Sequence, residues 1–314
     1  MREDPQPFFI IGAARSGTTL LRLVLTHHSQ ICECHEMNFV CSYVREHGLD
    51  ADPAGYRRYL EHDLGFQMSG YSTDARLGVL DQVRDFLDQR RVMDGAPLVG
   101  AVVHHAASVL PQIWPNAKFV HLQRDPRDVA RSSVEMGWAG IPWRGAEFWR
   151  AADDEWKMIE RLVPAERRFE IRFEEFATDS ETALDALCAF LGISFEADML
   201  EIEKTTTYER PRVTSAASWT KAPEDEIRQV EAAIGLNRIT AAGYAPSGMP
   251  LLEMTPGTKL RLRLMNFIRL QLDKARRYGI LLSLGQFLSR RLPFTGFRRA
   301  VTRRIDAVTV RNMK

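Results

Sequence analysis

Three short, mainly apolar runs and one segment of alternating apolar and charged residues punctuate the chain, each followed by a stretch whose apolar positions recur at helical spacing. Phe8-Phe9-Ile10-Ile11 stops at Gly12, and an apolar-periodic stretch from Thr18 through Leu20, Leu21, Leu23, Val24 and Leu25 follows. Leu98-Val99-Gly100-Ala101-Val102-Val103 leads into a helical pattern near Val109 to Trp114. Lys118-Phe119-Val120-His121-Leu122-Gln123 ends at Arg124-Asp125-Pro126 and gives way to helix at Asp128-Val129-Ala130-Arg131. Phe169-Glu170-Ile171-Arg172 precedes a helix predicted from about Ser180 to Leu191, which Gly192 stops. Short uninterrupted apolar runs suit strands covered on both faces, as parallel strands are. The alternation predicts an α/β fold with three layers, α/β/α, around a central parallel sheet.

Two stretches stand outside this rhythm. Cys41 to Gly95 reads as a helical or looped insertion after the first strand-helix unit, and Gly243-Tyr244-Ala245-Pro246-Ser247-Gly248-Met249-Pro250 is the best linker candidate. The predicted division is a domain over 1–248 and a basic helical C-terminal extension over 249–314. With 314 residues, 45% of them hydrophobic, the chain can bury a real core, which excludes disorder for most of its length. No window approaches the roughly 18–20 apolar residues of a membrane span. Met1-Arg2-Glu3-Asp4-Pro5 has no secretory apolar region, so a cytoplasmic location is expected. Four cysteines (Cys32, Cys34, Cys41 and Cys188) are too few for a disulfide scaffold and are expected to be reduced thiols.

Charge changes the picture more than composition does. The net charge is only +1, yet Gly257 to Lys314 carries 15 Lys and Arg against 2 Asp and Glu, a net +13. Residues 1–256 carry 27 against 39, a net −12. An acidic body with a basic tail points to an anionic partner for the tail.

The first chemical motif is Gly12-Ala13-Ala14-Arg15-Ser16-Gly17-Thr18-Thr19, set between strand and helix, where backbone N–H groups and the positive helix end converge on an anion. The nucleoside-triphosphate version of such a loop, G-x-x-x-x-G-K-S/T, carries a lysine where Thr18 stands here, and the cation has moved into the loop as Arg15. The bland alternative is a tight turn with an exposed arginine.

Arg15-Ser16-Gly17-Thr18-Thr19-Leu20-Leu21-Arg22 resembles the loop with which the sulfotransferase superfamily binds the 5′-phosphosulfate of 3′-phosphoadenosine 5′-phosphosulfate (PAPS). The stretch from Lys118 to Ser133 resembles that family's 3′-phosphate site and would carry its binding roles onto Arg124 and Ser132, eight positions apart. Arg172-Phe173-Glu174-Glu175-Phe176, followed by Leu184, Leu187, Cys188, Phe190, Leu191 and Gly192, is similar to the family's R-Y-E-D-L … L-x-x-L-x-x-F-L-G segment. The resemblance spans roughly residues 8–245 and implies a fold like that of P-loop NTPases, with Arg15, Ser16, Gly17, Thr18, Thr19, Arg124 and Ser132 binding the donor.

Sulfuryl transfer needs a base for the acceptor proton, cations at the sulfonyl oxygens and alignment, but no obligatory divalent metal. Arg15 is the candidate for the sulfonyl charge. Two residues compete to be the base. Glu36, in Cys34-His35-Glu36-Met37, resembles the catalytic glutamate that follows the first helix in tyrosylprotein and several bacterial sulfotransferases. His104, after Val102-Val103, aligns with the catalytic histidine of a K-T-H segment in cytosolic sulfotransferases, and imidazole titrates near neutral pH. Glu36 is placed narrowly ahead. Two positions depart from the pattern: Val102 stands where the family has a lysine or equivalent donor, and Phe173 replaces the tyrosine of R-Y-E. Further nucleotide contacts are expected from Ser218-Trp219-Thr220-Lys221.

The expected activity is transfer of a sulfuryl group from PAPS to a hydroxyl or amine of a glycan, glycolipid or small molecule. Its rivals are a P-loop small-molecule kinase and a non-catalytic, membrane-associated nucleotide-binding relative. Cys32-Glu33-Cys34-His35 lacks a second ligand pair at zinc spacing, so no metal site is expected. In the tail, basic residues mixed with Leu, Phe and Ile suit either an anionic membrane surface, and so a peripheral location, or packing on the body or another subunit as a homo-oligomer. Nucleic acid is not an expected partner.

Overall fold

The computed structural model describes residues 6–201, 217–289, 301 and 304–305. Within them the chain forms two compact units, Met1–Val129 with Phe148–Lys221, and Ala130–Glu147 with Ala222–Lys314. The predicted basic stretch from Arg290 to Arg304 lies almost wholly outside the described residues.

The first unit is a parallel sheet flanked by helices. Its strands are β1 Phe8–Ile11, β2 His35–Glu36, β3 Gly100–Val103, β4 Lys118–Gln123 and β5 Arg168–Arg172, in the spatial order β2-β3-β1-β4-β5. Every pairing is parallel, with Phe8 opposite Gly100 on one side and Lys118 on the other. The four segments are thus four of the five strands. β2 is missing from the sequence prediction because two polar residues carry no periodicity; only pairing with β3 defines it.

Side chains alternate across the sheet, and both faces are buried. Phe9, Ile11, Ala101, Val103 and Phe119 join one apolar cluster, covered by the helices α2 Asn38–His47, α3 Pro53–Leu60 and α5 Val79–Asp94. Phe8, Ile10, Val102, Val120 and Leu122 join the other, covered by α1 Thr18–Thr26, α9 Phe173–Thr178 and α10 Ser180–Leu191. The insertion predicted from Cys41 to Gly95 is mostly helical, with the short α4 Leu64–Ser69 among its elements. α6 Leu110–Ile113 leads into β4.

Local chemistry sets the boundaries. Asp179 accepts a hydrogen bond from the Thr182 amide to open α10, and Gly192, at φ 89°, closes it in the left-handed conformation that glycine tolerates best. The Lys118 ammonium donates to the Phe190 and Leu191 carbonyls at the end of that helix, at 2.7 and 3.0 Å. α7 Pro126–Glu135 and α8 Pro142–Leu162 each run from one unit into the other.

The second unit is helical: α11 Glu224–Ile234, α12 Leu236–Ala241, α13 Pro256–Tyr278 and α14 Ile280–Ser289. The glycine- and proline-rich stretch is held to α11, because Glu231 accepts from both the amide and the hydroxyl of Ser247 at 2.8 Å. Asn266 on α13 accepts from the Gly140 amide at 2.8 Å.

Gly100 shows how tightly the sheet is filled. A Cβ there would lie 2.3 Å from the ring of Phe8, which has no exposed surface. Gly100→Ala is therefore expected to cost about 1–3 kcal/mol, the range for overpacking a filled core. Urea denaturation monitored by circular dichroism measures it.

Candidate active site

All strands of the sheet point the same way, so the loops leaving their carboxyl ends meet at one edge. The chain leaves β1 toward β2 on one side and β4 toward β5 on the other, which makes the gap between β1 and β4 the switch point where parallel sheets place ligands.

The loop after β1 is compact and strained. Gly12 can carry no side chain: a Cβ would meet the Leu122 carbonyl at 2.5 Å. Gly17 sits at φ 98° with the Phe173 ring 2.5 Å from where its Cβ would be. Arg15 adopts φ 76°, a left-handed conformation that costs a non-glycine residue about 1–2 kcal/mol, and such outliers gather at functional sites. Ser16 is fully buried and its hydroxyl donates to the Ala13 carbonyl at 2.6 Å, so its side chain braces the loop. Gly17 caps α1 without a side-chain acceptor, which leaves the amides of the first turn to face an anion. Thr18 is buried and Thr19 half-buried at that turn. Amides, hydroxyls and the Arg15 guanidinium form a donor set that suits a phosphate or sulfate ester.

Two side chains clasp this loop through its own carbonyls. From the end of β3, His104 Nδ1 lies 2.9 Å from the Gly12 carbonyl oxygen. From the end of β4, Arg124 Nη1 donates to the Arg15 carbonyl at 2.9 Å. A carbonyl can only accept, so Nδ1 of His104 carries a proton and Nε2 is the nitrogen left for other chemistry. Nε2 faces Glu36, at 3.7 Å from Oε1. The two residues that competed for one role in the sequence are therefore a pair. The imidazole beside it holds the Glu36 carboxyl below the usual carboxylate range, against an opposing push from burial. Asn38, which sequence reasoning passed over, fixes His104 by accepting its backbone N–H at 2.8 Å. Only the residue's place at the start of α2, without a capping role there, distinguishes it. His105 contacts the Ser42 hydroxyl at 2.8 Å, and burial lowers its tendency to protonate.

Arg124 rests on the Phe173 ring, 4.5 Å from its centroid, so the residue that replaces the expected tyrosine supplies a cation–π face. Burial lowers the Arg124 pKa, opposed by the nearby Asp128 and Glu174 carboxylates. The rest of Arg124-Asp125-Pro126-Arg127-Asp128 is structural. Asp125 accepts from the Arg127 amide to start α7 and pairs with the Arg127 guanidinium at 2.9 and 2.7 Å, both side chains buried. Arg127 stacks on the Trp219 ring at 3.4 Å, and Asp128 accepts from the Ser218 hydroxyl and the Trp219 amide, each at 2.7 Å. Burial raises the Asp128 carboxyl. Ser218 and Trp219 thus join the first unit at the foot of α7. Ser132 is half-buried in α7 and falls in the second unit.

Cys32, Cys34 and His35 are spent on the fold. Cys32 Sγ donates to the Ala96 carbonyl, burial pushes the Cys34 thiol up to about 12, and His35 pairs with Glu33 at 3.2 Å.

A model of the "Sulfotransferase family" matches residues 7–197, more than half of the chain. The chain belongs to the sulfotransferase family. The match holds the Gly12–Thr19 loop, Glu36, His104, Arg124 and Ser132, and leaves Ser218–Lys221 and the basic tail outside it. An uncharacterized protein of Aquifex aeolicus (strain VF5) is 26% identical over 219 residues, which is 64% of this chain and 27% of that relative's length. The fold is shared with the sulfotransferase domain from the curacin biosynthetic pathway, at 18% identity and TM-score 0.55, covering 76% of this chain and 98% of that domain. It is shared as well with the sulfotransferase domain of the Synechococcus PCC 7002 olefin synthase, at 20% identity and TM-score 0.51, covering 73% and 95%.

Because Arg127 is a buried charge with a buried partner, Arg127→Met leaves the Asp125 carboxylate unpaired and is expected to destabilise this family member by about 3–5 kcal/mol. A shifted denaturant midpoint, with a change in Trp219 fluorescence, reports it.

Proposed function

We propose that the chain is a PAPS-dependent sulfotransferase that moves a sulfuryl group to a hydroxyl or amine of a glycan, glycolipid or small molecule and releases adenosine 3′,5′-bisphosphate. The observation that carries this reading is the double tie on one loop, His104 to the Gly12 carbonyl and Arg124 to the Arg15 carbonyl. That geometry supports reading His104 as a proton acceptor and Arg124 as a cation on either flank of an anion-binding loop. Bound PAPS would supply the sulfuryl group on a phosphate leaving oxygen.

The chain's own residues then have distinct tasks. The amides of the first turn of α1, with Thr18 and Thr19, hold the 5′-phosphate, and Ser16 keeps the loop closed. Arg15 balances charge at the sulfonyl oxygens and the leaving oxygen, work that a metal does in triphosphate chemistry. Arg124 holds the 3′-phosphate; the ribose carries both phosphates a few bonds apart, and Arg124 already touches the loop. Ser132 keeps its nucleotide role only as the sequence expectation.

His104 Nε2 takes the acceptor proton. The imidazolium so formed keeps its Nδ1 bond to the Gly12 carbonyl and turns its new Nε2–H toward the Glu36 carboxylate. This orders the pair differently from the sequence reading, because a carboxyl held below its ordinary range is the weaker base. Glu36 is held below the usual carboxylate range, so it loses its charge only as the pH falls through that depressed range.

The test is calorimetry with PAPS, adenosine 3′,5′-bisphosphate and ATP, together with transfer of labelled sulfate to acceptor extracts. The proposal expects tight binding of both 3′-phosphorylated nucleotides and labelled product. Magnesium-dependent binding of ATP without a response to the 3′-phosphate would instead mark a kinase. Donor binding without product from any extract would mark the non-catalytic relative. His104→Asn, whose amide nitrogen can keep the bond to the Gly12 carbonyl, is expected to lower kcat about 10²–10⁴-fold with donor affinity largely kept. Glu36→Gln is expected to lower it less. Were Glu36→Gln the more damaging change, the carboxylate would be the base.

A further inference from the structure

The helices α13 and α14 carry an outward apolar face that the other described residues of the second unit leave uncovered. Among the described residues, 18 large hydrophobic side chains are exposed, and half of them lie on these two helices. Leu260, Leu264, Phe267 and Ile268 follow one another at spacings of three and four, so they form a single stripe along α13. Leu281 and Leu284 continue it on α14, and the Phe267 and Phe287 rings join the two helices at 6.2 Å. Leu260 is 68% exposed and Leu281 87%, values far above those of side chains that merely edge a core.

The opposite side of α13 is where the helix is held. Leu262 is buried, Asn266 accepts from the Gly140 amide, and Arg277 donates to the Glu135 carbonyl at 2.6 Å. Gly140 lies so close that a Cβ would be 2.3 Å from the Asn266 carbonyl oxygen. The exposed stripe is therefore the outer face of a docked helix, and packing among the described residues of the unit does not explain it.

The charge around the stripe names its occupant. From Gly257 to Ser289 the chain carries seven Lys and Arg against the single Asp273. On the helical wheel Arg261 stands at one flank of the stripe and Arg263 with Lys274 at the other, with the apolar row between them. Leucine, isoleucine and phenylalanine bordered by arginine and lysine is the composition of a helix lying in the headgroup boundary of an anionic bilayer. A second copy of the chain would bring the same positive flanks together, which opposes that pairing. None of the described helices is long and apolar enough to cross a membrane, so the surface, not the interior, is what these helices fit.

We propose that the second unit docks on anionic lipid through the outer face of α13 and α14. The inference does not rest on the sulfuryl-transfer reading, and its test needs no donor or acceptor. The full chain is sedimented with vesicles of phosphatidylcholine alone and of phosphatidylcholine with phosphatidylglycerol, at low and at physiological salt. Binding to the anionic vesicles only, weakening as salt rises, is the expected result. Leu264→Asp with Ile268→Asp is expected to weaken that binding at least about tenfold, and Arg261→Glu with Arg263→Glu similarly, because both the apolar and the basic contributions are required. All four positions are exposed, so the urea midpoint of each variant should match the parent, and a match shows that any loss is not misfolding. The proposal is overturned if the parent ignores anionic vesicles, if the variants bind as the parent does, or if binding does not depend on lipid charge. It is also overturned if the lipid-free chain is a dimer that Leu264→Asp with Ile268→Asp dissociates, which would assign the face to a second copy.

Discussion

A buried carbonyl must find a donor, and two carbonyls of the Gly12–Thr19 loop find theirs in side chains from neighbouring strands. His104 answers Gly12 and Arg124 answers Arg15. The rest of the site depends on this exchange. With carbonyls turned toward those partners, the loop can present amides at the start of α1, and the strained conformation of Arg15 is over-determined from both sides. The same bonds orient the two side chains: one fixes the tautomer of the imidazole, the other holds a guanidinium against the Phe173 ring. Side-chain geometry and loop geometry are therefore one problem with one solution.

Around that point the chain spends charge carefully. Arg127 and Asp125 neutralise each other inside the protein, and Asp128 gathers the hydroxyl and amide of the Ser218-Trp219 turn. Arg124 alone of that motif reaches the loop. A motif that reads as a string of charges thus divides into one residue that faces the anion cradle and several that build the wall behind it. Under the proposed function an anionic donor would be met by cations placed locally and not by the field of residues 1–256, which carry a net −12.

The second unit obeys a different economy. Its inner face on α13 is closed by backbone contact at Gly140 and its outer face is left apolar and basic. That asymmetry is the signature of an interface awaiting something other than the unit's own core.

Much of this was legible beforehand. Strands buried on both faces are mostly apolar, so Phe8–Ile11 and the centre of Lys118–Gln123 declared themselves as runs, and Gly192 declared the end of α10 through its backbone freedom. The tight loop after β1 was legible for a similar reason: Gly12 and Gly17 are backbone constraints written into nearby residues. Local sequence could not show what distant residues do to one another. β2 exists only because β3 lies beside it, Asn38 matters only because the His104 amide comes within 2.8 Å, and Glu36 and His104 stop being alternatives only when strand pairing sets them 3.7 Å apart. Periodicity and backbone stereochemistry act between near neighbours in the chain, so the sequence by itself determined the fold class and the tight loop. Hydrogen bonds and ion pairs act across space, so the tertiary structure alone decided which side chains share the site.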